Sequence, residues 1–241
     1  MALPEGEAIS HISAATLHGL DVWSTPLQRI HVSRPRDRAG RVTSELHTHT
    51  TDLDDDVVRH QRVAVTSIAR TVVDLARTLP RPQAVVVGDS ALRLAPGTQA
   101  RIPQVLAASR SKHGILSAKT VLAFLDGRSE SVGESLSRVR MSEYGLPLPD
   151  LQHEVVTLDG RRYRVDFFWE EYGVVGEFDG ALKYTERHHL VAEKDREDAI
   201  RDLGLEVIRW NWTELDHFEV VVHRFERAVE RYRRKQLKPA R

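Results

Sequence analysis

Residues 162–183 read RYRVDFFWEEYGVVGEFDGALK, and this stretch decides the fold. It predicts two strands joined by the short turn EEYG. The first alternates Tyr163, Val165 and Phe167 against Arg164, Asp166 and Phe168, a period of two. The second, Val174–Asp179, begins as an apolar run, the pattern of a strand covered on both faces. Asp166, Glu177 and Asp179 therefore fall in or beside strands that otherwise read as central. Buried carboxylates need a cation or a metal, because an unpaired one costs several kcal/mol. Acids converging on adjacent strands, with Lys183 just beyond, point to a Mg²⁺ site at Asp166 and Glu177, since Mg²⁺ prefers carboxylate oxygens. The alternative is a hairpin whose polar face meets solvent. Asp179 precedes Gly180 and also suits a turn.

Working outward, the strand 152–158 and the turn Asp159-Gly160 complete a hairpin with 162–169. A helix is expected over Val132–Tyr144, another over Leu190–Leu203, a strand over Glu206–Trp210, and a last helix from about Thr213 to Arg234. Helix, three strands, helix, strand, helix is an α/β arrangement with a mixed sheet. Ser131-Val132-Gly133-Glu134 fits a capping box, so Glu134 has a capping role open to it as well as a catalytic one. In the helix 190–203 the stripe Ala192, Ala199, Ile200 and Leu203 includes Arg196, with Glu193 on its flank. An inward arginine requires an anion, which the strand acids would supply; snorkelling of its stem is the alternative. Lys183 would orient water or offset phosphate charge, or is simply solvated.

The first half reads as a smaller α+β region. A short helix is expected over 9–20 and strands near 28–33, 41–48 and 63–65. Ser67–Leu79 is a helix capped by Thr66 or Ser67 and stopped by Pro80, and helices follow over about 83–94, 99–110 and 114–126. Asp52 and Asp54–Asp56 form an acidic loop. A boundary is expected near 127–131, separating domains 1–128 and 129–241. His47 and His49, and His188 and His189, lack zinc-site spacing and are read as incidental. Trp169, Trp210 and Trp212 are read as core and rim packing. No phosphate-cradling glycine loop or G-x-S-x-G motif is present.

Composition bounds the rest. The 241 residues hold no cysteine, excluding disulfides and thiolate metal sites. Formal net charge is zero, split into +4 over residues 1–129 and −4 over 130–241. Arg209 at a strand end and Arg233 and Arg234 in the basic tail are the local candidates for phosphate contact. The N-terminus has no signal-peptide character, and no run approaches ~18 apolar residues. A soluble, cytoplasmic protein without a membrane partner is expected.

RVDFFW, VVGEFDGALKY and EKDREDAIRDLGLEVIRW, taken together, resemble the domain of unknown function related to very-short-patch-repair endonucleases, within the PD-(D/E)XK nuclease superfamily. The likeness spans about residues 131–212. Upstream, ISHISAATLHGL and VTSIARTVVDLAR resemble the core region of AbiEi-type antitoxin proteins; the winged helix that often precedes ISH is expected to be missing, since Met1 lies eight residues before Ile9. The resemblance implies a restriction-endonuclease-like sheet flanked by helices, DNA as partner, hydrolysis of phosphodiester bonds and a divalent cation. It matches Asp166 and Glu177 to the strand acids, Glu134 to the helix acid, and Glu193 and Arg196 to the acid–arginine pair on the following helix. The usual lysine position is occupied by Asp179, so Lys183 would take over or hydrolysis would be impaired. The rival expectation is a non-catalytic antitoxin-like regulator that binds DNA or a toxin-type protein partner.

Overall fold

The computed structural model describes all residues except 1, 2, 38, 54, 181–186 and 238–241, and the side chains of 187–193. The chain divides into two compact units, Met1–Ser135 and Leu136–Arg241. Both are mixed α/β, each with one mixed sheet and flanking helices. Among the described residues, no helix is long and apolar enough to cross a membrane.

The first unit opens with strand β1 (Ala8–Ile9) and helix α1 (His11–Leu17), followed by β2 (Ile30–Arg34), β3 (Arg41–Val42), β4 (Leu46–Thr50), β5 (Val57–His60) and β6 (Val63–Thr66). The six-stranded sheet runs β3-β4-β2-β1-β6-β5. β2 and β4 pair in parallel, with His31 opposite His47 and Ser33 opposite His49. The expected strand 41–48 is two strands, because Thr43 Oγ1 accepts from the backbone N–H of Glu45 and of Leu46 and turns the chain. Helices α2 (Ile68–Thr78), α3 (Arg81–Leu94), α4 (Thr98–Ala108) and α5 (Ile115–Phe124) follow. Ser67 caps α2 by accepting from the Arg70 N–H. The apolar stripe of α2 (Val72, Val73, Leu75) packs with Ile12, Val87 and Val105. On its polar side Arg70 is almost wholly buried, with Nε on Asp74 at 2.7 Å and Nη2 on Thr51 at 2.7 Å.

The second unit consists of α6 (Val132–Glu143, which starts just ahead of it), β7 (Asp150–Val156), β8 (Arg162–Trp169), a 3₁₀ turn at Glu170–Tyr172, β9 (Val174–Asp179), α7 (Arg187–Asp202), β10 (Glu206–Asn211), α8 (Trp212–Asp216) and α9 (Glu219–Gln236). The sheet runs β10-β9-β8-β7, with β9 and β10 parallel and the rest antiparallel. β9 is buried from Val174 to Glu177, as its apolar start predicts for an interior strand. One side carries Val165, Phe168, Val175 and Val207 against Ile200 of α7. On the other, Phe167 stacks with Trp169 and Trp210, and Trp169 meets Phe225 of α9.

The strict alternation expected in 162–169 is therefore broken. Val165 and Phe168 share one apolar cluster, whereas Phe167 belongs to the indole cluster. The ladder to β7 pairs His153 with Val165 and Leu151 with Phe167, and between them Gln152 adopts φ 53. This local distortion, set opposite Asp166, resets the side-chain phase. The single last helix is likewise two, broken at His217-Phe218, where Phe218 turns fully into the core.

Candidate functional site

The acids of the second unit are positioned by three adjacent elements. β8 supplies Asp166 and β9 supplies Glu177, and the register that pairs Phe167 with Gly176 brings Asp166 across from Glu177 when continued one step. The side chain bears this out: Asp166 Oδ2 accepts from the Phe178 N–H at 2.9 Å, the amide that joins Glu177 to Phe178. β10 supplies Arg209 as the parallel register partner of Glu177. α7 supplies Arg196 and Glu197.

Glu177 is buried, with its side chain 8% exposed, and each of its oxygens meets a guanidinium: Arg196 Nη2 on Oε1 at 2.7 Å and Arg209 Nη2 on Oε2 at 2.6 Å. Arg196 also donates to the Arg164 carbonyl at 2.8 Å. Its inward placement follows from the stripe of α7, since Ile200, one turn on, lies in the core. Arg209 is a hub. Besides Glu177, it meets Glu197 at 3.3 Å and the more exposed Asp179 at 3.5 Å. Glu197 in turn pairs with Arg201 at 2.6 Å. Replacing such a buried charged group with apolar residues of similar volume is often neutral or stabilising, so its presence is poorly explained by fold stability alone.

The remaining sequence candidates stand as follows. Glu134 is buried and engaged in capping: Ser131 Oγ donates to Oε1 at 2.8 Å, the Glu130 N–H donates to Oε2 at 2.8 Å, and the Glu134 N–H donates back to Ser131 Oγ at 3.1 Å. The capping-box signal S-x-x-E thus describes its local chemistry. Arg233 and Arg234 are exposed in the last turns of α9, where Arg234 meets Glu230 at 3.6 Å. Lys183 and the side chain of Glu193 lie outside the described residues.

A group that the spacing rules passed over lies in the first unit. Among the described residues, the one set of three or more His, Asp or Glu side chains whose ligand atoms all lie within 4.8 Å of one another is His11, His31 and His49. Its signal was the alternation His47-x-His49 opposite a third histidine across a parallel pair. The long sequence gaps between the three hid it.

No family model matches the chain. Two Mycobacterium tuberculosis proteins are similar to it: "Uncharacterized protein MT2308" of strain CDC 1551 / Oshkosh and "Uncharacterized protein Rv2248" of strain ATCC 25618 / H37Rv. Each is 33% identical over 207 residues, covering 84% of this chain and 74% of the relative.

Proposed function

The chain belongs to the family of these two mycobacterial proteins, and we propose that its residues 136–241 form a restriction-endonuclease-like domain that cleaves DNA phosphodiester bonds with a divalent cation. The observation that carries this reading is the bond from the Phe178 N–H to Asp166 Oδ2, which ties the acid of β8 to the β9 backbone next to Glu177. The arginine on α7 and the order of the acids along the chain support it, in agreement with the nuclease resemblance of these segments.

The donor chemistry suits Mg²⁺, which binds through one or two carboxylates and keeps several waters. An ionised carboxylate offers about four lone-pair sites, so the two guanidinium contacts on Glu177 do not by themselves exhaust its capacity. Asp166 and Glu177 would hold the ion, which supplies Lewis-acid polarisation of phosphate and activation of water. Arg196 and Arg209 fix the Glu177 carboxylate and bring positive charge to where a phosphate would develop negative charge. Glu197 and Asp179 hold Arg209 in turn.

The test is Mg²⁺-dependent cleavage of single-stranded, nicked and mismatched DNA, with Asp166→Asn and Glu177→Gln as paired controls. Cleavage by the unaltered protein and its loss in both variants is the expected result. A wild type no more active than Glu177→Gln overturns the enzymatic reading.

A second reading, a non-catalytic antitoxin-like module binding DNA or a protein, is favoured by the guanidinium on each Glu177 oxygen and by Asp179 at the usual lysine position. Under it, DNA binding survives Asp166→Asn without metal. It also falls when Arg233 and Arg234 are replaced, with a shallower salt dependence.

A further inference from the structure

We propose that His11, His31 and His49 form a three-imidazole site for a nitrogen-preferring divalent transition ion such as Zn²⁺, built across β2, β4 and the start of α1. The site is distinct from the acid cluster of the second unit and does not depend on how that cluster functions.

Backbone register makes it. β2 and β4 run parallel, so His31 stands opposite His47 and Ser33 opposite His49, which puts all four side chains on one side of the sheet. His11 enters from α1 through a backbone in the left-handed region (φ 50), an uncommon conformation for a residue other than glycine. Its ring stacks on that of His49 with centroids 3.6 Å apart. His49 Nε2 lies 3.1 Å from His31 Nδ1. The contact is a hydrogen bond between the two rings, and its length is close to the roughly 3.3 Å that separates two nitrogens bound tetrahedrally at Zn–N distances of about 2.0–2.1 Å.

The surroundings fit the role. His11 Nδ1 is 3.0 Å from Ser10 Oγ, which also accepts from Ser33 Oγ at 2.8 Å. A metal-binding histidine commonly donates its second ring N–H to such an oxygen, which fixes the ring and leaves the other nitrogen's lone pair for the ion. His11 is buried, and His31 and His49 are half-buried, so the three rings are largely withdrawn from bulk water. A purely structural histidine stack would explain the ring contacts. The three ligand nitrogens also lie within 4.8 Å of one another, close enough to meet on one ion.

Three histidines leave one position of a tetrahedral ion open, the pattern of reactive or exchangeable sites and not of closed structural ones. His11 and His49 line a pocket of about 460 Å³ together with Asp74, Arg77 and Lys112. Arg77 and Lys112 oppose a bare dication, and Asp74 offsets part of that. The same two cations favour an anion on the ion's fourth position, so a hydroxide, carboxylate or phosphate is the class of ligand expected there.

The full chain, freed of metal with a chelator, is titrated with Zn²⁺ alone by calorimetry and with Co²⁺ followed by visible absorption. One equivalent of Zn²⁺ and the intense visible bands of tetrahedral, nitrogen-bound Co²⁺ are expected. His31→Gln/His49→Gln should weaken Zn²⁺ binding at least about 100-fold, since even loss of an outer partner costs 10–100-fold. His153→Gln and His223→Gln, whose imidazoles pair only with Asp150 and Glu226 on their own surfaces, should bind as the wild type does. Circular dichroism verifies the fold of each variant, and the wild-type Co²⁺ spectrum decides the matter if the double variant does not fold. A wild type that binds Zn²⁺ no more tightly than the folded double variant, or a Co²⁺ titration without the bands of a tetrahedral, nitrogen-bound ion, overturns the proposal.

Discussion

Arg209 stands opposite Glu177 in the parallel pairing of β9 and β10, and its guanidinium meets the Glu177 carboxylate at 2.6 Å. The arrangement costs desolvation of both groups and is held by a second arginine, Arg196, on the other oxygen. Glu177→Ala would leave two guanidiniums facing a buried hollow. Because both arginines keep partial contact with water, the expected loss is about 1–3 kcal/mol, below the range for a wholly buried pair. Glu177→Gln should cost less, since the amide oxygen still accepts. Urea unfolding of the two variants checks this, and equal stabilities would show that the charge is dispensable.

Arg70 gives a stronger expectation for the first unit. Its side chain is 2% exposed and reaches Asp74, Asp56, Thr51 and the Asp52 carbonyl. Arg70→Ala strands Asp74, itself 2% exposed, although Arg77 still meets it at 3.1 Å. The expected destabilisation is about 3–5 kcal/mol, read as a fall in the denaturant midpoint of the first unit's transition.

Glu206 supplies a pH dependence. Burial acts to raise its pKa, but ion pairs from Lys235 at 2.8 Å and Arg231 at 2.6 Å outweigh this and leave it below the ordinary value of 4.5. The folded state therefore binds the proton less readily than the unfolded one. The stabilisation is fully present above about pH 4.5 and is lost as pH falls through the lower folded value. The stability gap between wild type and Glu206→Gln should be constant from pH 7 to 5 and close towards pH 3. A gap unchanged at pH 3 would contradict this assignment.

Lys112 should react as an unusually nucleophilic amine. Burial, with further pressure from Arg70, brings its pKa down to about 8 from 10.5. Its ammonium donates to Thr51 Oγ1 at 2.7 Å. Competitive reductive methylation read by mass spectrometry should give Lys112 a labelling midpoint near pH 8, and a midpoint as high as 10.5 would contradict this.

Gly176 lies where no side chain fits. A Cβ there would come within 2.8 Å of the Trp169 and Trp210 rings. Gly176→Ala should therefore cost about 1–3 kcal/mol, the usual range for overpacking a filled core.

Much of this was legible in the chain because local and tertiary demands agreed. The run Val174–Glu177 is buried on both sides as its composition implies, the S-x-x-E signal caps α6, and Arg196 on the α7 stripe meets an acid. What escaped reading had no local mark. β5, just after the acidic loop, was not expected, because its four residues are half or fully exposed and do not alternate. Its hairpin to β6 turns on Gln61 and Arg62, both at positive φ (48 and 73), without the Asn-Gly or Asp-Gly that usually announces such a turn. The phase reset opposite Asp166 depends on Gln152 in another strand, which periodicity within 162–169 cannot reveal. His11, His31 and His49 are close in space only because a parallel strand pair and a helix start bring them there.

The two indoles over Gly176 also give the molecule a built-in optical reporter. Trp169, Trp210 and Trp212 all lie in residues 136–241, whereas Trp23 is the sole tryptophan before them. Trp169 and Trp210 are at most 3% exposed, so their emission in the native protein should be blue-shifted, and its red shift on denaturation should report chiefly the melting of that half of the chain.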